Sequence, residues 1–164
     1  MFPRDISDLE GDILYEIFMI AAALDPPQAR MLRNRSTNSV KIHLGWIPLS
    51  HVCKAWRYIM IHDMPILWAG IPCAIPAARD VVLSRAREAP LVLDTMIEHR
   101  KYARERKVNK KFVLALCTIA IGNIRRARRL SYDAFLDDVM LATSWYQAMN
   151  DTEMPLLVDL HLCM

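Results

Sequence analysis

Glycine is scarce in this chain. Only 4 of its 164 residues are Gly and 9 are Pro, which excludes a collagen-like or low-complexity protein. The four cysteines, Cys53, Cys73, Cys117 and Cys163, fall at gaps that match neither a C-x-x-C metal site nor a disulfide framework. No long hydrophobic run is present. The longest, Phe112 to Ile121, is about half the ~20 residues of a membrane span. Asp5, Asp8, Glu10 and Asp12 interrupt the amino terminus and leave no secretory signal. These absences point to a soluble protein in a reducing, intracellular setting, cytoplasmic or nuclear. The sequons at Asn34 and Asn150 carry little meaning there. Catalytic signatures are missing too: there is no Gly-rich phosphate loop, no H-E-x-x-H and no G-x-S-x-G.

What is present is apolar and unevenly charged. Hydrophobic residues make up 54% and charged residues 24%, so disorder is excluded as the general state. Residues 1–97 are neutral overall. Residues 98–129 carry eleven basic and two acidic side chains, and residues 130–164 carry six acidic and no Lys or Arg. The basic block comprises Arg100, Lys101, Arg104, Arg106, Lys107, Lys110, Lys111, Arg125, Arg126, Arg128 and Arg129. Such a block serves either as a solvated face balanced by nearby acids or as a site for an anionic partner. Tyr102 is the only aromatic in its first part, so a base-stacking platform has no support.

The first helix is signalled by Ser7-Asp8-Leu9-Glu10, which has capping-box spacing. Leu9, Ile13, Leu14, Ile17, Phe18 and Ala21 follow at helical intervals as one apolar stripe. Asp25-Pro26-Pro27 ends it, because a residue before proline avoids the α region. Residues 25–44 read as a long polar loop. A second helix is predicted from Pro48, with Leu49, Val52, Cys53, Trp56, Ile59 and Met60 on one face. His62-Asp63 breaks it, and Pro65 opens a short third turn that carries Leu67 and Trp68. A unit of about 65 residues has a marginal core, and three short helices look too small to enclose Phe18, Trp56 and Trp68.

After Pro76 the pattern changes. A helix is predicted over Ala77–Arg87, then a strand at Leu91-Val92-Leu93, then a helix from about Asn109 to Asn123. Arg128–Tyr132 reads as a second strand, with Asp133 capping a helix that runs to about Met149. Met154–Leu162 reads as a third strand, where Val158, Leu160 and Leu162 alternate. Strand and helix at a near-regular interval predict βα repeats that hide their apolar faces against each other. The sequence stops just after a strand, so the array is expected to be short and incomplete.

Two stretches resemble a known family. Leu9-Glu10-Gly11-Asp12-Ile13-Leu14-Tyr15-Glu16-Ile17-Phe18 is similar to the first helix of the F-box, with Glu10 where the pattern has Pro. Leu44–Arg57, containing Val52-Cys53-Lys54-Ala55-Trp56-Arg57, is similar to its second part, and Leu67-Trp68 to its close. The Leu-Gly-Trp-Ile lead-in at 44–47 and Ala89-Pro90-Leu91-Val92-Leu93 resemble a fungal group of F-box-like proteins with a leucine-rich-repeat-like region. Pro155–Leu162 resembles a later strand of such an array.

The resemblance implies a mainly α protein: a three-helix F-box over 5–70, then an incomplete βα leucine-rich-repeat-like region over 76–164. It implies a non-catalytic substrate receptor of an SCF-type ubiquitin ligase. Such a protein binds a Skp-type adaptor, and through it a cullin, and recruits a substrate protein. The implied partner-binding residues are Leu9, Ile13, Leu14, Ile17, Phe18, Leu49, Val52, Trp56, Leu67 and Trp68. No cofactor, metal or membrane partner is implied. By periodicity alone, the same residues are ordinary core. Two other readings stand beside the receptor: a nucleic-acid-binding protein using block 98–129, and a truncated product with a vestigial F-box. Cys53 reads as a small buried residue rather than a nucleophile. His43 and His51 lie near it in sequence without completing a metal-ligand set. Asp137-Asp138 are adjacent on a helix and diverge by about 100°, so they do not share a site.

Overall fold

A computed structural model describes residues 9–33, 38–95, 110–133 and 139–163. Among these residues the chain is mostly helical, with two small sheets. Helix α1 (Gly11–Leu24) starts later than the capping box predicts. Ser7 lies outside the described residues. Glu10 holds the N-cap position without a side-chain bond, and its carbonyl accepts from the amides of Ile13 and Leu14. Gly11 is a weak helix former, and the helix reaches back only that far. It ends at Asp25, as the two prolines require.

The predicted polar loop is a β-hairpin. Strands β1 (Gln28–Arg33) and β2 (Asn38–His43) pair antiparallel, with Ala29 opposite Ile42 and Met31 opposite Val40. A period of two, apolar at 29, 31, 40 and 42, was hidden among the arginines and asparagines. The base of the hairpin is tied to the end of α1. The Trp46 amide donates to the Asp25 carbonyl at 2.9 Å, and His43 Nε2 meets Asp25 Oδ1 at 2.7 Å. Gly45 sits there at φ +53°, where a Cβ would collide with the Asp25 carbonyl and the Pro26-Pro27 backbone.

The single helix expected from Pro48 to Met60 is broken. A 3-10 turn (Ile47–His51) leads to an extended Cys53, then α2 (Lys54–Tyr58), then a π turn (Ile59–Asp63). The cause is local. Cys53 Sγ accepts the Trp56 amide at 3.5 Å and so acts as an N-cap, which restarts the helix. Arg57 Nε braces the break by donating to the Ser50 carbonyl at 3.1 Å. Helix α3 (Pro65–Ala69) begins at a proline, as predicted.

Helix α4 (Arg79–Ala86) packs on α3, and the Arg85 guanidinium lies 4.4 Å from the ring centre of Trp68. A parallel sheet follows in chain order: β3 (Leu91–Asp94), β4 (Ala127–Asp133) and β5 (Asp159–Cys163). Between the strands run α5 (Lys110–Gly122) and α6 (Val139–Asp151), packed on each other. All three strands were legible; Asp133 is the last residue of β4, and the predicted start of the helix after it lies outside the described residues. The third strand begins at Asp159, because residues 154–157 form a turn in which the Leu157 amide donates to the Met154 carbonyl. Leu93, Leu130 and Leu160 share one rung, and Tyr132 stacks 4.6 Å from Trp145 of α6. The buried side chains, from Leu14 to Trp145, form one continuous cluster through both predicted units.

The turn from α4 into β3 carries strain. The Ala89 amide donates to the Ala86 carbonyl, closing a four-residue turn with Arg87 at φ +49° and ψ −128°. These are type II′ angles, and glycine is the residue that suits them. The Arg126 guanidinium, from the turn before β4, donates to the carbonyls of both Arg87 and Ala89. Replacing Arg87→Gly is therefore expected to raise stability by about 1 kcal/mol, while Arg126→Ala lowers it by about 1–3 kcal/mol. Urea unfolding of the two variants reads both signs.

Candidate partner-binding surface

The ten residues implied by the motif fall into three groups. Leu14, Phe18, Trp56, Leu67 and Trp68 are buried inside the chain itself. Phe18 meets Trp56 edge to face at 5.0 Å, and Trp46 meets Trp68 the same way at 5.1 Å. Leu9 and Leu49 are half-buried against that core. Ile13, Ile17 and Val52 face solvent. The expectation that the helices are too small to enclose the aromatics is thus corrected. Met60 and Met64, both fully buried, belong to the same core, and Trp46 adds a fourth large aromatic to Phe18, Trp56 and Trp68. The shared core with α4 supplies the remaining cover.

Helix α1 consequently has two apolar faces. Leu14 and Phe18 point inward. Ile13, Ile17, Ile20 and Leu24 point outward, with 47, 38, 57 and 80% of their surface accessible. Their spacing, i, i+4, i+7 and i+11, is a single ridge along the helix. Sequence reading missed Ile20 and Leu24 because it merged both faces into one broad stripe. Asp12 and Glu16 border the ridge on the same helix. Val52 (55%) and Tyr58, which stacks on His62 at 4.7 Å, are exposed in the second motif. Surface apolar residues are common singly; here four stand in one row on one helix.

Among the described residues the polar groups singled out from the sequence lie apart from one another. Cys53 caps α2, His43 contacts Asp25, and His51 Nδ1 lies 3.2 Å from Arg57 Nη2, so the three are committed separately. Among the described residues no group of three or more His, Cys, Asp or Glu could hold a metal ion. Burial pushes the Cys73 thiol up to about 12, aided by the charge of Asp94 and by Cys117, and opposed by a backbone bond from Asp94. Burial also raises Cys117, against a bond from Trp145 that lowers it. Both are poor nucleophiles. Asp137-Asp138 and the stretch from Arg100 to Lys107 lie outside the described residues. Of the remaining basic block, Arg126 is bound to the strained turn, and Arg129 donates through Nε and Nη2 to Asp159 at 3.0 and 2.9 Å. Lys111, Arg125 and Arg128 are exposed. Among the described residues no helix is long and apolar enough to cross a membrane.

No family model, curated protein or solved structure matches the chain.

Two predictions follow from this burial. Phe18→Ala should cost about 3–5 kcal/mol, whereas Ile17→Ser should cost less than about 1 kcal/mol, as measured by thermal or urea unfolding. The second concerns Cys73. Its folded pKa lies above its unfolded value, so its contribution to stability is complete below the unfolded pKa and is lost as pH rises toward about 12. Stability should fall by up to about 1.4 kcal/mol per pH unit above roughly pH 9. Cys73→Ala should flatten that slope in urea titrations across alkaline pH.

Proposed function

We propose that the chain is a non-catalytic receptor subunit of an SCF-type ubiquitin ligase. In this reading residues 5–70 act as an F-box that binds a Skp-type adaptor, and through it a cullin. Residues 76–164 form a leucine-rich-repeat-like βα region that presents a substrate protein. The observation that carries the proposal is the outward ridge Ile13, Ile17, Ile20 and Leu24. It lies on the helix that bears the F-box-like motif, and a neighbouring face of that helix, about 100° round, is anchored by Leu14 and Phe18. A rigid apolar ridge of this kind suits docking into a groove of a helical partner. The parallel strands with α5 and α6 packed together agree with a βα array.

Within this proposal the motif residues divide by role. The contact residues are Ile13, Ile17 and Val52, joined by Ile20 and Leu24. Leu14, Phe18, Trp56, Leu67 and Trp68 hold the ridge in place from inside. Leu9 and Leu49 lie at the margin.

The test is direct binding of the purified chain to a Skp-type adaptor. We expect a complex at micromolar concentration or tighter. The double variant Ile13→Asp, Ile17→Asp should weaken it by about 100-fold or more while keeping its unfolding midpoint. Absence of a complex, or a double variant that binds like the parent chain, rejects the proposal. Phe18→Ala is the wrong probe, because it acts through folding.

A further inference from the structure

Strand β5 is the open edge of the parallel sheet. It pairs with β4 on one side, and among the described residues no strand pairs with its other side. Its two faces differ in chemistry. Leu160 and Leu162 stand on the rungs of Leu130 and Tyr132, the face covered by Trp145. Yet they are 45 and 44% exposed, while Leu130 is fully buried. Val158 continues their alternation and is more exposed still. Asp159 and His161 occupy the opposite face, on the rungs of Arg129 and Ser131. An edge of this kind is a template for another strand, and its sequence selects which one.

We propose that the chain forms a symmetric dimer in which β5 pairs antiparallel with β5 of a second copy, about a two-fold axis at Leu160. That register sets Leu160 opposite Leu160 of the second copy and Val158 opposite its Leu162, which closes the apolar face. It also sets Asp159 opposite His161 of the second copy, twice over. Both Arg129 bonds go to Oδ2 of Asp159, so Oδ1 remains to accept from the facing imidazole. The neighbouring even registers fail on charge. An axis at Asp159 opposes two carboxylates, and an axis at His161 opposes two histidines and leaves each Asp159 facing Cys163. Complementarity on both faces in one register is what favours a second copy over an unrelated strand.

Sedimentation of the full chain across the micromolar range tests the proposal. A dimer is expected. Leu160→Lys, which places a charge on the edge at a half-exposed position, should leave a monomer. His161→Glu, on the exposed face, should raise the dissociation constant about tenfold, and His161→Lys should not. If Leu160→Lys alters the circular dichroism of the monomer, the pair of His161 variants decides. In a Cys163→Ser background, Leu160→Cys should give an interchain disulfide under mild oxidation, which fixes the register. A monomer at all concentrations overturns the proposal. So does a dimer indifferent to both Leu160→Lys and His161→Glu, which places the contact elsewhere. Association only with another protein through this edge overturns it as well.

Discussion

The indole of Trp68 joins the two parts of this molecule. Its Nε1 donates to the Met60 carbonyl at 2.7 Å, supplying a partner to a backbone oxygen in the π turn. Trp46 packs an edge against it, and Arg85 from α4 lies over its face. A single side chain thus fixes the π turn, the aromatic cluster of the amino-terminal helices and the first helix of the βα part. The bond spares this buried N–H the cost of going unpaired, which exceeds what the bond itself contributes. The outward ridge of α1 depends on the same cluster. Ile13, Ile17, Ile20 and Leu24 face solvent while Leu14 and Phe18, on the neighbouring face of the helix, are held in the core.

A second arrangement ties one βα unit to the next. Arg87 occupies backbone angles suited to glycine, and Arg126 reaches across from the turn before β4 to take its carbonyl and that of Ala89. Arg129, three residues later, reaches forward to Asp159 in β5. The basic run at 125–129 is therefore partly structural. Two of its four arginines tie one βα unit to the next, and the acidic tail supplies one counter-charge. The exposed Arg129–Asp159 pair adds little stability by itself. It matters more for where it holds the Asp159 carboxylate.

Much of the fold was legible in the sequence, and the errors have physical causes. The parallel strands near 93, 130 and 160 stood out because β-rich apolar runs alternate with helical periods. The proline stops at 26–27 and the proline start at 65 acted as expected. The hairpin at 28–43 was missed because its alternation involves only four apolar residues among charged neighbours. The break at Cys53 was missed because Leu49, Val52, Cys53 and Trp56 keep helical spacing across it, while the thiol cap that causes it leaves no pattern. The exposed ridge was only half legible. The motif drew attention to α1, but periodicity does not tell an inner apolar face from an outer one when both lie on the same helix. Only the burial of Phe18 and the exposure of Ile20 and Leu24 separate them.

The strand order β3-β4-β5 repeats the order of the chain. Each strand pairs with the one made just before it, and each helix returns over a surface already in place. On a ribosome, such a sheet can grow one unit at a time as residues emerge. Among the described residues no later segment inserts between earlier strands of this sheet. The closure entropy of each step stays near that of a single strand–helix–strand loop. The amino-terminal cluster around Trp68 is synthesised first and offers α4 a finished surface. Vectorial growth of this kind limits the time that each earlier edge stays unpaired.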